Sequence, residues 1–91
     1  MSGEIRTVRG LRDAYYQKRP NGHFFDDATL NFFGETMSSM RLLKDRATIT
    51  DSMGEEHTCY VLSLLQRKHP GGPRRKYHYF DIETLEDVIP A

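Results

Sequence analysis

Apolar positions along this chain change period twice. Ile5, Val8, Leu11 and Tyr15 fall at helical spacing, which predicts an amphipathic helix over about 7–18. Gly10 inside it weakens that helix by about 1 kcal/mol relative to alanine. Arg19-Pro20-Asn21-Gly22 then reads as a turn or loop. Beyond it, Asp26 is a good N-cap, and Phe25 and Leu30 match the two positions of a hydrophobic staple. Leu30, Phe33, Met37 and Met40 share one helical face, with Phe32 at its edge. The pattern predicts the main helix over Asp27–Met40, with Gly34 inside it marking a close backbone approach.

From Arg46 the period shortens. Ala47-Thr48-Ile49-Thr50 is β-branched, Asp51-Ser52-Met53-Gly54 is a turn, and Thr58–Arg67 is the best strand candidate. Pro70-Gly71-Gly72-Pro73 closes a hairpin, and Arg75–Phe80 returns. Asp81-Ile82-Glu83-Thr84 begins a turn, after which Glu86–Ile89 is a fourth strand or a short helical turn. No internal repeat or low-complexity segment stands out. The fold class is α+β: one main helix packed on a three- to four-stranded antiparallel sheet, with a short N-terminal helix.

The hairpin carries a register expectation. If His69 faces Arg74, then Leu65 pairs with His78, Ser63 with Phe80 and Val61 with Ile82. Tyr60, Leu62, Leu64, Tyr77 and Tyr79 then share the opposite face. Both faces are partly apolar under this register, and one helix covers only one of them. The second face must meet the N-terminal segment, another subunit or a partner.

Length and composition place the chain in a class. Its 91 residues make a single small domain over 1–91, with 1–21 as an arm or short helix and 22–91 as helix plus sheet. A hydrophobic share of 37% with 29% charged residues suits a soluble globular chain. No apolar run in residues 1–22 resembles a signal peptide, and no stretch reaches membrane length. A single cysteine cannot form an internal disulfide, so a reducing cytoplasm is the expected location. The net charge is zero, but its distribution is uneven. Residues 67–76 hold Arg67, Lys68, Arg74, Arg75 and Lys76 and no acid, while the tail from residue 77 holds Asp81, Glu83, Glu86 and Asp87 and no Lys or Arg.

Catalytic chemistry finds little support. His57 and Cys59 would share one strand face, but a nucleophilic cysteine needs a base and a lowered pKa, and no orienting Asn or Asp motif accompanies them. His57, Cys59 and His78 offer at most three zinc ligands without a recognisable spacing. Asp26-Asp27 is explained by capping, and Glu55-Glu56 by a solvated edge. Pro70-Gly71-Gly72-Pro73 lacks the length and the following helix of a phosphate-cradling loop. The chain is therefore expected not to be an enzyme and to need no cofactor or metal. The basic hairpin is the strongest hint: Arg67, Lys68, Arg74, Arg75 and Lys76, followed by Tyr77 and Tyr79, combine phosphate-binding charge with stackable rings. The same aromatics and arginines also suit a protein interface.

The run Phe24-Phe25-Asp26-Asp27-Ala28-Thr29-Leu30-Asn31-Phe32-Phe33-Gly34 resembles the opening signature of small proteins of phages, plasmids and their bacterial hosts. In that family an FFDxxTLxFFG-type helix precedes strands and a late xYFDxxTxE-type segment, to which Tyr79-Phe80-Asp81-Ile82-Glu83-Thr84-Leu85-Glu86 is similar. Members often carry glycine after the threonine, where Leu85 stands here. The resemblance carries no catalytic residues. It implies a mobile-element context, the cytoplasm of a host cell and, with it, non-catalytic binding to a host protein or ribonucleoprotein complex, foremost as an inhibitor of a defence system such as CRISPR-Cas. The alternatives are a nucleic-acid-binding module, using the hairpin tip with Arg6, Arg9 and Arg12, and a homodimer that covers its own second face. None of these partners is a membrane.

Overall fold

Backbone dihedrals decide the fate of the phenylalanine-rich segment. The structure, a computed structural model, describes residues 4–21 and 25–91. Met1–Gly3 of the arm and Gly22–Phe24, which include the first residue of the Phe24–Gly34 motif, lie outside the described residues. Leu30, Phe33 and Gly34 have φ of +59°, +49° and +91°. A right-handed helix cannot pass through residues in the left-handed region. The expected helix over Asp27–Met40 is thus corrected: the segment is three short strands, β1 (Phe25–Asp26), β2 (Asn31–Phe32) and β3 (Glu35–Thr36), paired antiparallel in that order. Asp26 does satisfy free backbone N–H groups, but those of a turn. Its Oδ1 accepts from Ala28 N at 2.9 Å, and its Oδ2 accepts from the Thr29 hydroxyl at 3.1 Å. Phe33-Gly34 is the two-residue link between β2 and β3, with positive φ at both positions as in a type I′ turn.

The helix that forms is the N-terminal one. Helix α1 spans Val8–Lys18, and the Thr7 hydroxyl caps it by accepting from Gly10 N at 3.0 Å. Leu11 and Tyr15 point inward and are buried. Arg12 ties the helix to the small sheet, with Nη1 at 2.6 Å from Asp27 and 3.3 Å from Asp26. The class is α+β with antiparallel sheets, but the covering element is α1 plus the small sheet.

A second sheet of five strands carries the rest. Its strands are β4 (Ser39–Leu42), β5 (Ala47–Thr50), β6 (Glu56–Gln66), β7 (Arg74–Asp81) and β8 (Asp87–Val88). Strand β6 is central, and Cys59 through Leu64 are all buried along it. On one of its edges β5 pairs with Glu56–Cys59 and β4 with Leu62–Leu65, while β7 runs along the other edge with β8 beyond it. The fourth strand predicted near Glu86–Ile89 is β8. Strand β4 straddles the end of the expected helix, which stopped at Met40.

The β6–β7 register differs from expectation. Leu65 pairs with Arg75, Ser63 with Tyr77, Val61 with Tyr79 and Tyr60 with Phe80. The reason lies in the connection. Gly72, at φ +101°, donates to the His69 carbonyl at 2.9 Å, and Pro73 has no N–H, so pairing begins only at Gln66 and Arg74. The displacement is odd, so Tyr77 and Tyr79 move to the face opposite Tyr60, Leu62 and Leu64.

The inner face holds the core. Tyr60, Leu62, Leu64 and Phe80 pack with Leu11 and Tyr15 of α1 and with Phe25, Phe32, Met37 and Leu85. Phe25 and Phe80 stack at 6.2 Å between centroids, and Phe25 meets Phe32 edge-on at 5.0 Å. The outer face is partly sheltered by the sheet itself. Strands β5 and β8 lie on opposite sides of the β6–β7 pair, yet Ala91 N donates to Thr50 O at 3.0 Å. That bond closes the lower end of the sheet on itself. Cys59, Val61 and Val88 are buried there, outside the main core. The expectation that the whole second face needs another cover is corrected: among the described residues its lower end is covered by the sheet, and its hairpin end stays open.

One turn is used twice, contrary to the expectation of no repeat. Phe25-Asp26-Asp27-Ala28-Thr29-Leu30 and Phe80-Asp81-Ile82-Glu83-Thr84-Leu85 share Phe-Asp-x-x-Thr-Leu. Asp81 Oδ1 accepts from Glu83 N at 2.7 Å and Thr84 N at 3.0 Å, much as Asp26 caps its own turn. Leu30 and Leu85 both adopt left-handed φ, +59° and +58°. Glycine adopts that conformation without penalty, so leucine at these two positions carries a strain that glycine would not.

Gly34→Ala should destabilise the protein by about 1 kcal/mol in urea unfolding, because alanine resists positive φ and the site offers it no contact to gain. An unchanged midpoint would mean that the Phe33-Gly34 turn is not formed.

Candidate nucleic-acid interface

The hairpin's charges divide between two faces. Lys76 projects to the inner face and pairs with Glu35 of β3 at 3.3 Å. Arg74 Nη1 lies 3.0 Å from His69 Nε2 within the loop. Arg67 and Lys68 sit in the turn that follows β6 and are exposed. Only Arg75, Tyr77 and Tyr79 of the seven expected site residues share the outer face.

That face gains a residue the sequence reading missed. Arg41 of β4 pairs with Ser63, and Ser63 pairs in turn with Tyr77, so the three form one row across three strands. The next row is Ser39, Leu65 and Arg75. Arg75 Nη1 donates to Ser63 Oγ at 2.7 Å, which lays the guanidinium along the row of Arg41 and Tyr77. Tyr77 is 48% exposed. Among the described residues no carboxylate pairs with Arg41, Arg67, Lys68, Arg74 or Arg75. Arg6, Arg9, Arg12, Arg46 and Lys76 have acidic partners, whereas Lys18, Arg19 and Lys44, away from this end, have none among the described residues. Nothing flagged Arg41 in advance, because it falls between the expected helix end at Met40 and the strand pattern from Arg46.

The opposite end of the sheet is acidic and structural. His57 bridges two carboxylates, with Nδ1 at 2.9 Å from Asp81 and Nε2 at 2.8 Å from Asp51. Asp51 Oδ1 also accepts from Met53 N and Glu55 N, fixing the β5–β6 turn. The bond from Asp51, then that from Asp81, raises the His57 pKa. Asp51 is lowered, chiefly by His57. At Asp81 partial burial pushes the carboxyl upward, but His57 and the Thr84 and Glu83 amides outweigh it and leave the pKa lowered. Asp51, Glu55 and His57 lie close enough to hold a cation, yet both imidazole nitrogens are already engaged.

Cys59 does not work with His57. It is fully buried, and burial pushes its thiol up to about 11, the reverse of an activated nucleophile. His78 lies on the inner face against Phe32 at 4.7 Å, so the three candidate zinc ligands do not converge. No helix among the described residues is long and apolar enough to cross a membrane.

No family model, curated protein or solved structure matches the chain. The case for a site therefore rests on its geometry.

The His57 bridge sets a pH dependence with a definite sign. A raised imidazole pKa stabilises fully below the unfolded value of about 6.5 and is lost as pH rises through the folded pKa. Lowered carboxyls stabilise above about pH 4 and are lost as pH falls through their folded values. The melting-temperature gap between wild type and His57→Gln should therefore be widest between about pH 4 and 6.5 and shrink above it. A gap that is flat, or that grows toward pH 9, would contradict the bridge.

Proposed function

We propose that this chain is a non-catalytic nucleic-acid-binding module that works through the hairpin end of its five-stranded sheet. The observation that carries the reading is that two cations without acidic partners among the described residues, Arg41 and Arg75, share one face with the half-exposed Tyr77, at the end of the sheet where the loop adds Arg67 and Lys68. Polyanion binding releases counterions and needs cations that are not already neutralised. The overall neutrality does not oppose this, because the acidic groups Asp51, Asp81, Glu86 and Asp87 collect at the other end of the sheet. Self-sheltering of the lower outer face favours a polar, charged contact over a broad apolar one.

The mobile-element resemblance supports a second reading, occupation of a host defence complex by protein contact. The observation in its favour is that Met53 and Ile89, 83% and 75% exposed, line one shallow cavity at the acidic end. A basic protein surface would suit that end.

A gel-shift titration with mixed-sequence oligonucleotides tests the first reading. Affinity should fall roughly tenfold or more between about 50 and 200 mM salt. The Arg41→Glu/Arg75→Glu double variant should lose binding at both salts. Absence of binding at 50 mM, or full binding by the double variant, would sink it.

A further inference from the structure

The open end of the outer face has more than charge. Tyr77 and Tyr79 stand two residues apart on β7, so their Cα atoms are about 6.8 Å apart on one face. Tyr77 is 48% exposed, whereas Tyr79 lies in the row of the buried Val61 and Val88 and is only partly exposed, so Tyr77 is the ring open to a base. Arg41 shares the lateral row of Tyr77, and Arg75 precedes Tyr77 by two residues on the same face. Ser63, beneath them, orients Arg75 through its hydroxyl.

We infer that this end of the face is a platform for single-stranded nucleic acid: the half-exposed Tyr77 stacks a base while Arg41 and Arg75 neutralise the adjoining phosphates. The inference rests on the nucleic-acid reading above and narrows its ligand. A duplex hides its base faces inside the stack and offers such a surface phosphates alone, so the rings would contribute nothing to it. A single strand exposes both, and stacking on aromatics tolerates any sequence. Antiparallel sheets with aromatic residues on an open face suit this use, because alternation brings rings and cations onto one surface. Charge complementarity selects the occupant, since an apolar protein partner would leave Arg41 and Arg75 without counter-charges in a desolvated contact.

Fluorescence anisotropy with the purified chain tests the inference, using a labelled 15-residue oligothymidine, its RNA counterpart and a duplex of equal length. The single strands should bind at least about tenfold more tightly than the duplex. Tyr77→Leu should weaken single-strand binding by about tenfold and leave duplex binding unchanged, whereas Tyr77→Phe should retain it. Tyr77 is half exposed, and a melting curve for each variant shows that it folds. Equal affinity for the single strands and duplex, with Tyr77→Leu silent on both, would overturn the stacking platform and leave the broader polyanion reading standing. No binding of any of the three probes would overturn both.

Discussion

A central strand buried on both sides is the constraint on which this structure depends. Cys59 through Leu64 of β6 have no wet face, so the chain must supply two covers for one strand. The inner cover comes from α1 and the small three-stranded sheet, with the Phe25–Phe80 stack at its centre. The outer cover comes from the sheet's own curl, locked where Ala91 bonds to Thr50. Burying a large apolar side chain is worth roughly 1.5–3 kcal/mol, so a strand with four such positions, Tyr60, Val61, Leu62 and Leu64, dominates a chain of this size. Because the curl covers only the lower half, the hairpin end of the outer face is left open. The proposed site is the part of β6's surroundings that the fold does not close.

The repeated Phe-Asp-x-x-Thr-Leu turn shows how a small chain reuses one solution. Each copy places a phenylalanine in the core, caps its own loop with the aspartate, and turns through a left-handed leucine. The aspartates differ in what else they hold. Asp26 faces Arg12 and anchors the helix, whereas Asp81 faces His57 and anchors the acidic end. Holding leucine at positive φ costs on the order of 1–2 kcal/mol, and burial of Leu85 in the core offsets it.

Much of the sheet was legible, and the physical reasons separate what was from what was not. Strands β5, β6 and β7 were found because β-branched and apolar runs ended at glycine-rich turns. Helix α1 was found from four residues at helical spacing. The Asp27–Met40 segment misled because its signals are ambiguous: an aspartate that caps a helix also caps a turn, and Leu30, Phe33 and Met37 fit a helical face. The evidence against a helix was local, namely Gly34 after Phe33 and poor helix formers at Thr29 and Asn31. Register was not legible, since it turned on how many loop residues Gly72 and Pro73 would withhold from pairing. That single uncertainty decided which face Tyr77 and Tyr79 occupy. Arg41 could not be placed without strand β4.

The account stands on the β6–β7 register, because it puts Arg75, Tyr77 and Tyr79 beside Arg41 on one surface. Cross-strand nuclear Overhauser contacts along the backbone measure it directly. Connections of Ser63 with Tyr77 and of Leu62 with His78 are the predicted result. Connections of Leu65 with His78 and of Ser63 with Phe80 would turn the tyrosines toward the core and contradict it.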